Sequence, residues 1–289
     1  MPEFLARRWG ILCDMNELDV QPVSELVELP PRPRRKGIYI LPNLFTLAAL
    51  FGGFYAIVMA MNGQFEQSAI GVFCAMVLDS LDGRVARMTN TQSTFGEQMD
   101  SLSDMVSFGA APALIVYVWA LTPLAKLGWI AAFVYCACAA LRLARFNTNL
   151  TVVDKRFFQG LPSPAAAALV VGFIWLMDNL GFKGSAEGPW LSWMAFGFTI
   201  YAGLTMVTNV PFYSFKDVSF KRSVPFIVIV AIALGIAFIT LHPPLVLFGL
   251  FVVYGTSGYG VYIWKRMKGR PVSVIATSTD EPDEQGLHR

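Results

Sequence analysis

The sequence predicts an all-α fold, a polytopic membrane helical bundle of about eight transmembrane helices, and three observations carry the prediction. Of the 289 residues, 55% are hydrophobic and only 15% charged, with a mean hydropathy of +0.53, whereas a soluble domain carries about a quarter charged residues. Apolar stretches of ~20 residues, the length that crosses the hydrocarbon of a bilayer as a helix, recur along the chain. The basic residues between them fall almost wholly on one side: 20 of the 22 Lys and Arg lie on alternate loops, and only Lys126 and Lys183 on the others. The positive-inside rule therefore places both termini in the cytoplasm, and the even number of spans agrees with that.

The elements follow in order. Residues 1–38 are read as a cytoplasmic leader. Arg7 and Arg8 precede Trp9, Ile11 and Leu12, but Asp14, Glu17 and Asp19 follow with no apolar core, which excludes a signal peptide. An interfacial helix and a plain unstructured leader both fit this stretch. Pro30 to Lys36 reads as a stiff basic linker at headgroup level. The spans are then expected near Ile40 to Met61, Ser68 to Met88, Gln98 to Leu121, Leu127 to Asn147, Pro164 to Leu180, Trp190 to Val210, Ser223 to Leu241 and Leu245 to Trp264. Trp119, Trp129, Trp190, Trp193 and Trp264 fall at span ends, as an aromatic belt would. Residues 269–289 form a polar tail read as disordered.

Four carboxylates interrupt this apolar pattern. Asp79, Asp82, Gly83 and Ala86 follow the i, i+3, i+4, i+7 spacing of one helical face, and Gly96, Asp100 and Asp104 share a stripe in the next span. A charged carboxylate costs several kcal/mol in hydrocarbon, so four must be paired, metal-bound or facing water. Pairing with Arg84 or Arg87 could satisfy two of them. An all-oxygen ligand set favours Mg²⁺, Mn²⁺ or Ca²⁺, four negative charges match two divalent ions, and such pairs serve phosphoryl transfer. Gly83, Ala86 and Gly96 would let either a neighbouring helix or a flat nucleotide come close.

The pattern Asp79-x2-Asp82-Gly83-x2-Ala86-Arg87-x8-Gly96-x3-Asp100-x3-Asp104 resembles, without departure, the signature of the CDP-alcohol phosphatidyltransferase family. Members of that family join an alcohol to the phosphatidyl or similar group of a CDP-linked donor and release CMP. The resemblance implies a membrane core over 39–212 of about six spans, with 213–268 adding two helices, and a dinuclear Mg²⁺ or Mn²⁺ site open to the cytoplasmic leaflet. It implies Asp79, Asp82 and Asp100 as metal ligands and Asp104 as a ligand or the general base. Gly83, Ala86 and Arg87 would line the CDP pocket beside Asp79 and Asp82. Pro42-Asn43-Leu44-Phe45-Thr46 resembles the family's PNxxT element, which makes Asn43 and Thr46 nucleotide contacts; a capped N-terminal turn is the other reading.

ALRLARFN, ending the fourth span, and FFQGLPSPAAAA, opening the fifth, resemble the bacterial membrane-integral phosphatidylserine synthases of this superfamily. That resemblance implies CDP-diacylglycerol as donor, L-serine as acceptor, the bacterial cytoplasmic (inner) membrane as location, and a homodimer as often found in the family. Arg142 and Arg145, three apart on one face, could clamp a phosphate or the serine carboxylate, or could anchor the helix by the positive-inside rule. Glycerol 3-phosphate, an inositol phosphate or choline are the alternative acceptors, and a cation pathway is the alternative outside the enzyme class. No nucleic-acid module or glycine-rich nucleotide loop is present in the sequence. Cys136 and Cys138 are two apart, which fits neither a CxxC redox motif nor a zinc pair, and His242 and His288 are too far apart for a histidine metal site.

Overall fold

The computed structural model describes residues 40–89, 93–148, 157–213 and 226–268. The leader, the tail and the basic residues Lys155 and Arg156 lie outside the described residues. Each expected span is a helix, with ends within a few residues of those read from the sequence. Helices α1 (Ile40–Met61) and α2 (Phe65–Thr89) are followed by a rod over Thr94–Leu124. The rod is made of α3 (Thr94–Asp104), a π segment (Met105–Ala110), α4 (Ala111–Val116), a second π segment (Tyr117–Leu121) and a 3-10 turn (Thr122–Leu124). Then come α5 (Lys126–Thr148), α6 (Ser163–Asn179), α7 (Pro189–Val207), α8 (Phe226–Leu241) and α9 (Pro243–Met267).

Five of these, α1, the rod, α5, α7 and α9, are long and apolar enough to cross a membrane, and the protein is a multi-pass membrane protein. The remaining three have separate physical reasons for falling short. Charged residues from Glu66 to Arg87 depress the hydropathy of α2, whereas α6 and α8 are apolar but only 17 and 16 residues long. The short α6 is buried along nearly its whole length, from Ser163 to Trp175, so protein rather than lipid surrounds it. Around it, Phe173 stacks on Phe198 at 4.8 Å and meets Trp119 edge-on at 5.9 Å.

Helices α1 and α2 approach closely where small residues meet. A Cβ added at Gly71 would lie 3.1 Å from Ala56 Cβ and from the Gly52 carbonyl, and one at Gly52 would lie 3.2 Å from Ala75 Cβ. The rod packs on α1 beside α2 through serines: Ser103 donates to the Thr46 carbonyl at 3.2 Å and Ser107 to that of Ala49 at 3.1 Å. Each hydroxyl satisfies itself on a carbonyl of the neighbouring helix, which is how polar side chains bind helices together in lipid.

One departure from an all-α chain is a two-stranded antiparallel ribbon, β1 (Phe157–Gln159) with β2 (Pro211–Tyr213), Phe158 opposite Phe212. The loops after α5 and α7 meet there. Gly160, with φ +75°, turns the chain away, and a Cβ at that position would fall 2.3 Å from the Met206 carbonyl oxygen. Helix α9 is bound directly to α7: Tyr201 donates to the Gly255 carbonyl at 3.0 Å, Thr205 and Tyr259 share a hydrogen bond of 2.9 Å, and Gly258 lies against the Phe212 ring. The last of the eight helices is thus part of the same packed bundle.

Candidate active site

At the α1 N-terminal end, α1, α2 and α3 diverge around a cavity of about 500 Å³. Helix α1 contributes Pro42, Asn43 and Thr46, α2 contributes Asp82, Gly83 and Ala86, and the start of α3 contributes Gly96, Glu97 and Asp100 with Ser93 and Thr94. The α3 terminus is fixed by Ser93, whose hydroxyl accepts the Gly96 N–H at 3.0 Å. Of the residues that the sequence assigns to CDP, Asn43, Thr46, Asp82, Gly83 and Ala86 all line this one cavity.

Asp79, Asp82 and Asp100 each offer a carboxylate oxygen, and these oxygens lie within 4.8 Å of one another. Asp104 stands one turn beyond Asp100, with its carboxyl against that of Asp79. Asp82 is buried and the other three are half-buried. Two like charges ~5 Å apart repel by about 3 kcal/mol at an effective dielectric constant of ~20, so a cluster of charged carboxylates this tight needs a positive charge. The two arginines of α2 are directed elsewhere. Arg87 is exposed and gives its Nε to the Gly83 carbonyl at 2.9 Å, and Arg84 is exposed too. Oδ1 of Asp104 is buried without a hydrogen-bond partner. Arg142 reaches only Asp104, at the edge of the cluster, so an all-oxygen cluster with an unpartnered buried oxygen fits a hard divalent cation better than internal ion pairs for all four carboxylates.

One support around the cluster was not legible as such in the sequence. The buried Thr46 hydroxyl reaches Asp82 Oδ2 at 2.7 Å, so this threonine orients a carboxylate as well as lining the cavity. Gly83 leaves open space: a Cβ added there meets nothing within 4 Å. Helix packing does not account for that glycine, whereas room for a ligand does. Gly96 is closer to its surroundings, with Asn43 Oδ1 and Ser93 Oγ each 3.2 Å from an added Cβ.

Arg142 and Arg145 have different environments although they share a face of α5. Arg142 lies within Coulombic reach of Asp104 and donates to Ser163 Oγ at 2.5 Å, the buried serine at the start of α6. Arg145 is committed to the scaffold: its two Nη atoms donate to the carbonyls of Val207, Gln159 and Thr208 and to Asn209 Oδ1, at 3.0 to 3.4 Å. It thereby fastens α5 to the end of α7 and to the ribbon. Nothing in its sequence position distinguishes that work from ligand binding, because two of the three carbonyls it holds are more than 60 residues away along the chain.

The family model for CDP-alcohol phosphatidyltransferases matches residues 39–207. The chain belongs to the CDP-alcohol phosphatidyltransferase family. Among relatives within it, a Helicobacter pylori protein named CDP-diacylglycerol--serine O-phosphatidyltransferase is 38% identical over 220 residues, covering 75% of this chain and 90% of its own. Proteins of the same name from Mycobacterium leprae and Methanocaldococcus jannaschii are 32% identical over 231 residues and 35% over 189; the matches cover 78% and 65% of this chain, and 75% and 82% of theirs. The matched family region spans α1 to α7, and so includes every residue of the carboxylate cluster and both arginines.

Proposed function

We propose that this transferase moves the phosphatidyl group of CDP-diacylglycerol to the hydroxyl of L-serine, forming phosphatidylserine and releasing CMP. The carrying observation is the likeness, over three quarters of the chain, to proteins that bear this activity in their name. The carboxylate cluster beneath a cavity of nucleotide size gives the reading a place to act. Asp79, Asp82 and Asp100, with Asp104 beside them, would hold divalent metal, two ions of Mg²⁺ or Mn²⁺. When bound, such ions neutralise the donor's pyrophosphate and stabilise CMP as it leaves.

The chain's own residues supply the rest. Thr46 holds Asp82 in one orientation, and open space over Gly83 admits the cytidine, with Asn43 and Ala86 at the cavity wall; Arg87, outside that wall, braces the Gly83 carbonyl. Asp104, by its unpartnered Oδ1, accepts the proton of the serine hydroxyl as that oxygen bonds to the β-phosphorus. The bond from this phosphorus to the bridging oxygen breaks, and CMP departs with the electron pair. Arg142, presented by Ser163, receives the serine carboxylate, while Arg145 keeps the wall behind it in place. The acyl chains remain in lipid. In this reading residues 39–212 are the catalytic core, and the cluster faces the cytoplasmic side of a bacterial inner membrane in a homodimeric enzyme with both termini in the cytoplasm.

Purified protein in mixed micelles should release CMP only when CDP-diacylglycerol, serine and a divalent ion are all present. Faster release with glycerol 3-phosphate, an inositol phosphate or choline would reassign the acceptor and leave the transfer chemistry in place. CMP release that ignores every alcohol would remove the proposal altogether. For orientation, single cysteines replacing Lys126 and Lys183 should label from outside the cell with an impermeant thiol reagent; protection of both would reverse the topology.

A further inference from the structure

The rod that carries Asp100 and Asp104 is interrupted immediately after Asp104 by the π segment Met105–Ala110, and the sequence explains why. In an α-helix the Phe108 carbonyl would receive the N–H of residue 112, which is Pro112 and has none. The ladder widens instead, and the Ala111 N–H reaches back five residues to Val106. The second π segment repeats the arrangement: Pro123 stands four residues after Trp119, and the Thr122 N–H reaches back five to Tyr117. The first wide turn differs in having a side chain dedicated to it. Tyr135 of α5, fully buried, donates its hydroxyl to the Phe108 carbonyl at 3.0 Å.

We propose that Tyr135 is a positioning residue for the reaction, holding open the wide turn of the rod and thereby setting the angle at which Asp104 and Asp100 face Asp79 and Asp82. This rests on the reading of the carboxylate cluster as the reactive site. The wide turn is gripped from both sides. On the α1 side, Gly53 leaves so little space that an added Cβ would lie 2.6 Å from Ser107 Cα, and Ser107 bonds to the Ala49 carbonyl. Opposite, Gly109 packs near Ala139, one turn after Tyr135 on α5, with an added Cβ 3.3 Å from Ala139 Cβ.

The geometric consequence follows from helix pitch. Each residue of an α-helix turns the chain by about 100°, so absorbing or expelling one extra residue between positions 105 and 110 would swing the Asp100 and Asp104 stripe around the rod relative to its membrane-anchored half. Without the Tyr135 hydroxyl, the Phe108 carbonyl loses a donor in a dry interior, and the wide turn loses the contact that favours it over neighbouring registers. Tyr135 touches no substrate in this account. Its effect on the reaction passes through the Asp100 and Asp104 carboxylates.

The experiment is a double-mutant cycle on Tyr135→Phe and Pro112→Ala, read by CMP release and, separately, by Mn²⁺ binding to the protein without substrates, followed by electron paramagnetic resonance. Tyr135→Phe keeps the ring and removes one oxygen. It should lower kcat about 10- to 100-fold, the range for supports of metal ligands, weaken Mn²⁺ binding, and change the KM of donor and acceptor less than twofold. Pro112→Ala returns an N–H to the Phe108 carbonyl and lets the turn close, so it too should lower kcat and weaken Mn²⁺ binding. With the turn closed, the tyrosine has nothing left to hold. The double variant should therefore match Pro112→Ala alone, the two losses failing to multiply. The proposal is overturned if Tyr135→Phe keeps its kcat and Mn²⁺ affinity, if its activity falls only in proportion to folded protein seen by thermal unfolding in detergent, or if the losses multiply independently. A parent protein that binds Mn²⁺ at the cluster yet releases no CMP with serine would count against the serine reading, while the Mn²⁺ arm of the cycle would still decide the role of Tyr135.

Discussion

Helices α1 and α2 are joined along one half and parted along the other, and small residues occur in both halves. Where they join, Gly52 and Gly71 let backbone meet backbone, and an added Cβ at either would meet its neighbours at 3.1 to 3.2 Å. Where they part, Gly83 faces open space in a cavity shared with Asn43 and Asp100. The same residue type therefore does opposite work three helical turns apart on α2: one glycine removes volume so that helices can touch, the other so that they need not. The difference also separates stability from function, since the packed half holds the bundle and the open half stores unfavourable charge.

The largest effect should come from the open half. Asp82→Asn and Asp100→Asn each remove a charge with little change of shape, and each should reduce transfer to background, with Mg²⁺ or Mn²⁺ at saturation, while the protein remains in the membrane at normal levels. Near-normal turnover by either variant would mean that the cluster is not the reactive site.

Exchanging the two glycines sharpens the contrast further. Gly71→Leu forces a side chain between α1 and α2 and should cost about 1–3 kcal/mol or more, visible as a lower unfolding temperature in detergent. Gly83→Leu enters open space and should leave that temperature unchanged or raise it, because replacing a mid-helix glycine gains up to about 1 kcal/mol in helix propensity. Its transfer rate should nevertheless fall, with a raised KM for CDP-diacylglycerol. If Gly83→Leu unfolds the protein and keeps its KM, the glycine is a packing residue like Gly71.

A smaller loss is expected at Thr46, which borders both halves. Thr46→Val keeps the shape and removes the donor to Asp82, so kcat should drop about 10- to 100-fold, as for other supports of metal ligands, with weaker metal dependence on titration. A variant with unchanged metal titration would show that Asp82 needs no orienting partner.

The smallest and most selective effects should distinguish the two arginines. Arg142→Leu should raise the serine KM while sparing the KM of CDP-diacylglycerol, and Arg145→Leu should mainly lower the unfolding temperature by freeing four acceptors around the ribbon. Interchanged phenotypes would assign the acceptor contact to Arg145.

Most of this architecture could be read in the chain because lipid enforces it. Eight apolar stretches became eight helices, since a backbone in hydrocarbon has few other ways to satisfy itself, and the aspartates marked the candidate site because carboxylates within apolar stretches need a partner, a metal or water. What escaped the sequence depends on distant partners. The π segments follow from Pro112 and Pro123, but their widening shows only when the register of the ladder is known, and the Tyr135 contact joins residues 27 apart. The ribbon needed two loops to meet, and Arg145 was indistinguishable from Arg142 until its carbonyl partners on α7 were in place. The sequence leaves Gly83 open between contact with a helix and room for a nucleotide. Only the packed helices decide between them.

The central claim, that the parted ends of α1, α2 and α3 hold divalent metal and the cytidine donor together, is tested most directly by anomalous diffraction from crystals grown with Mn²⁺ and CDP-diacylglycerol. The account predicts manganese density bonded to carboxylate oxygens of Asp79, Asp82 and Asp100, with the nucleotide lying over Gly83. Manganese density elsewhere with the four carboxylates unligated, or a nucleotide bound away from Gly83, would contradict it.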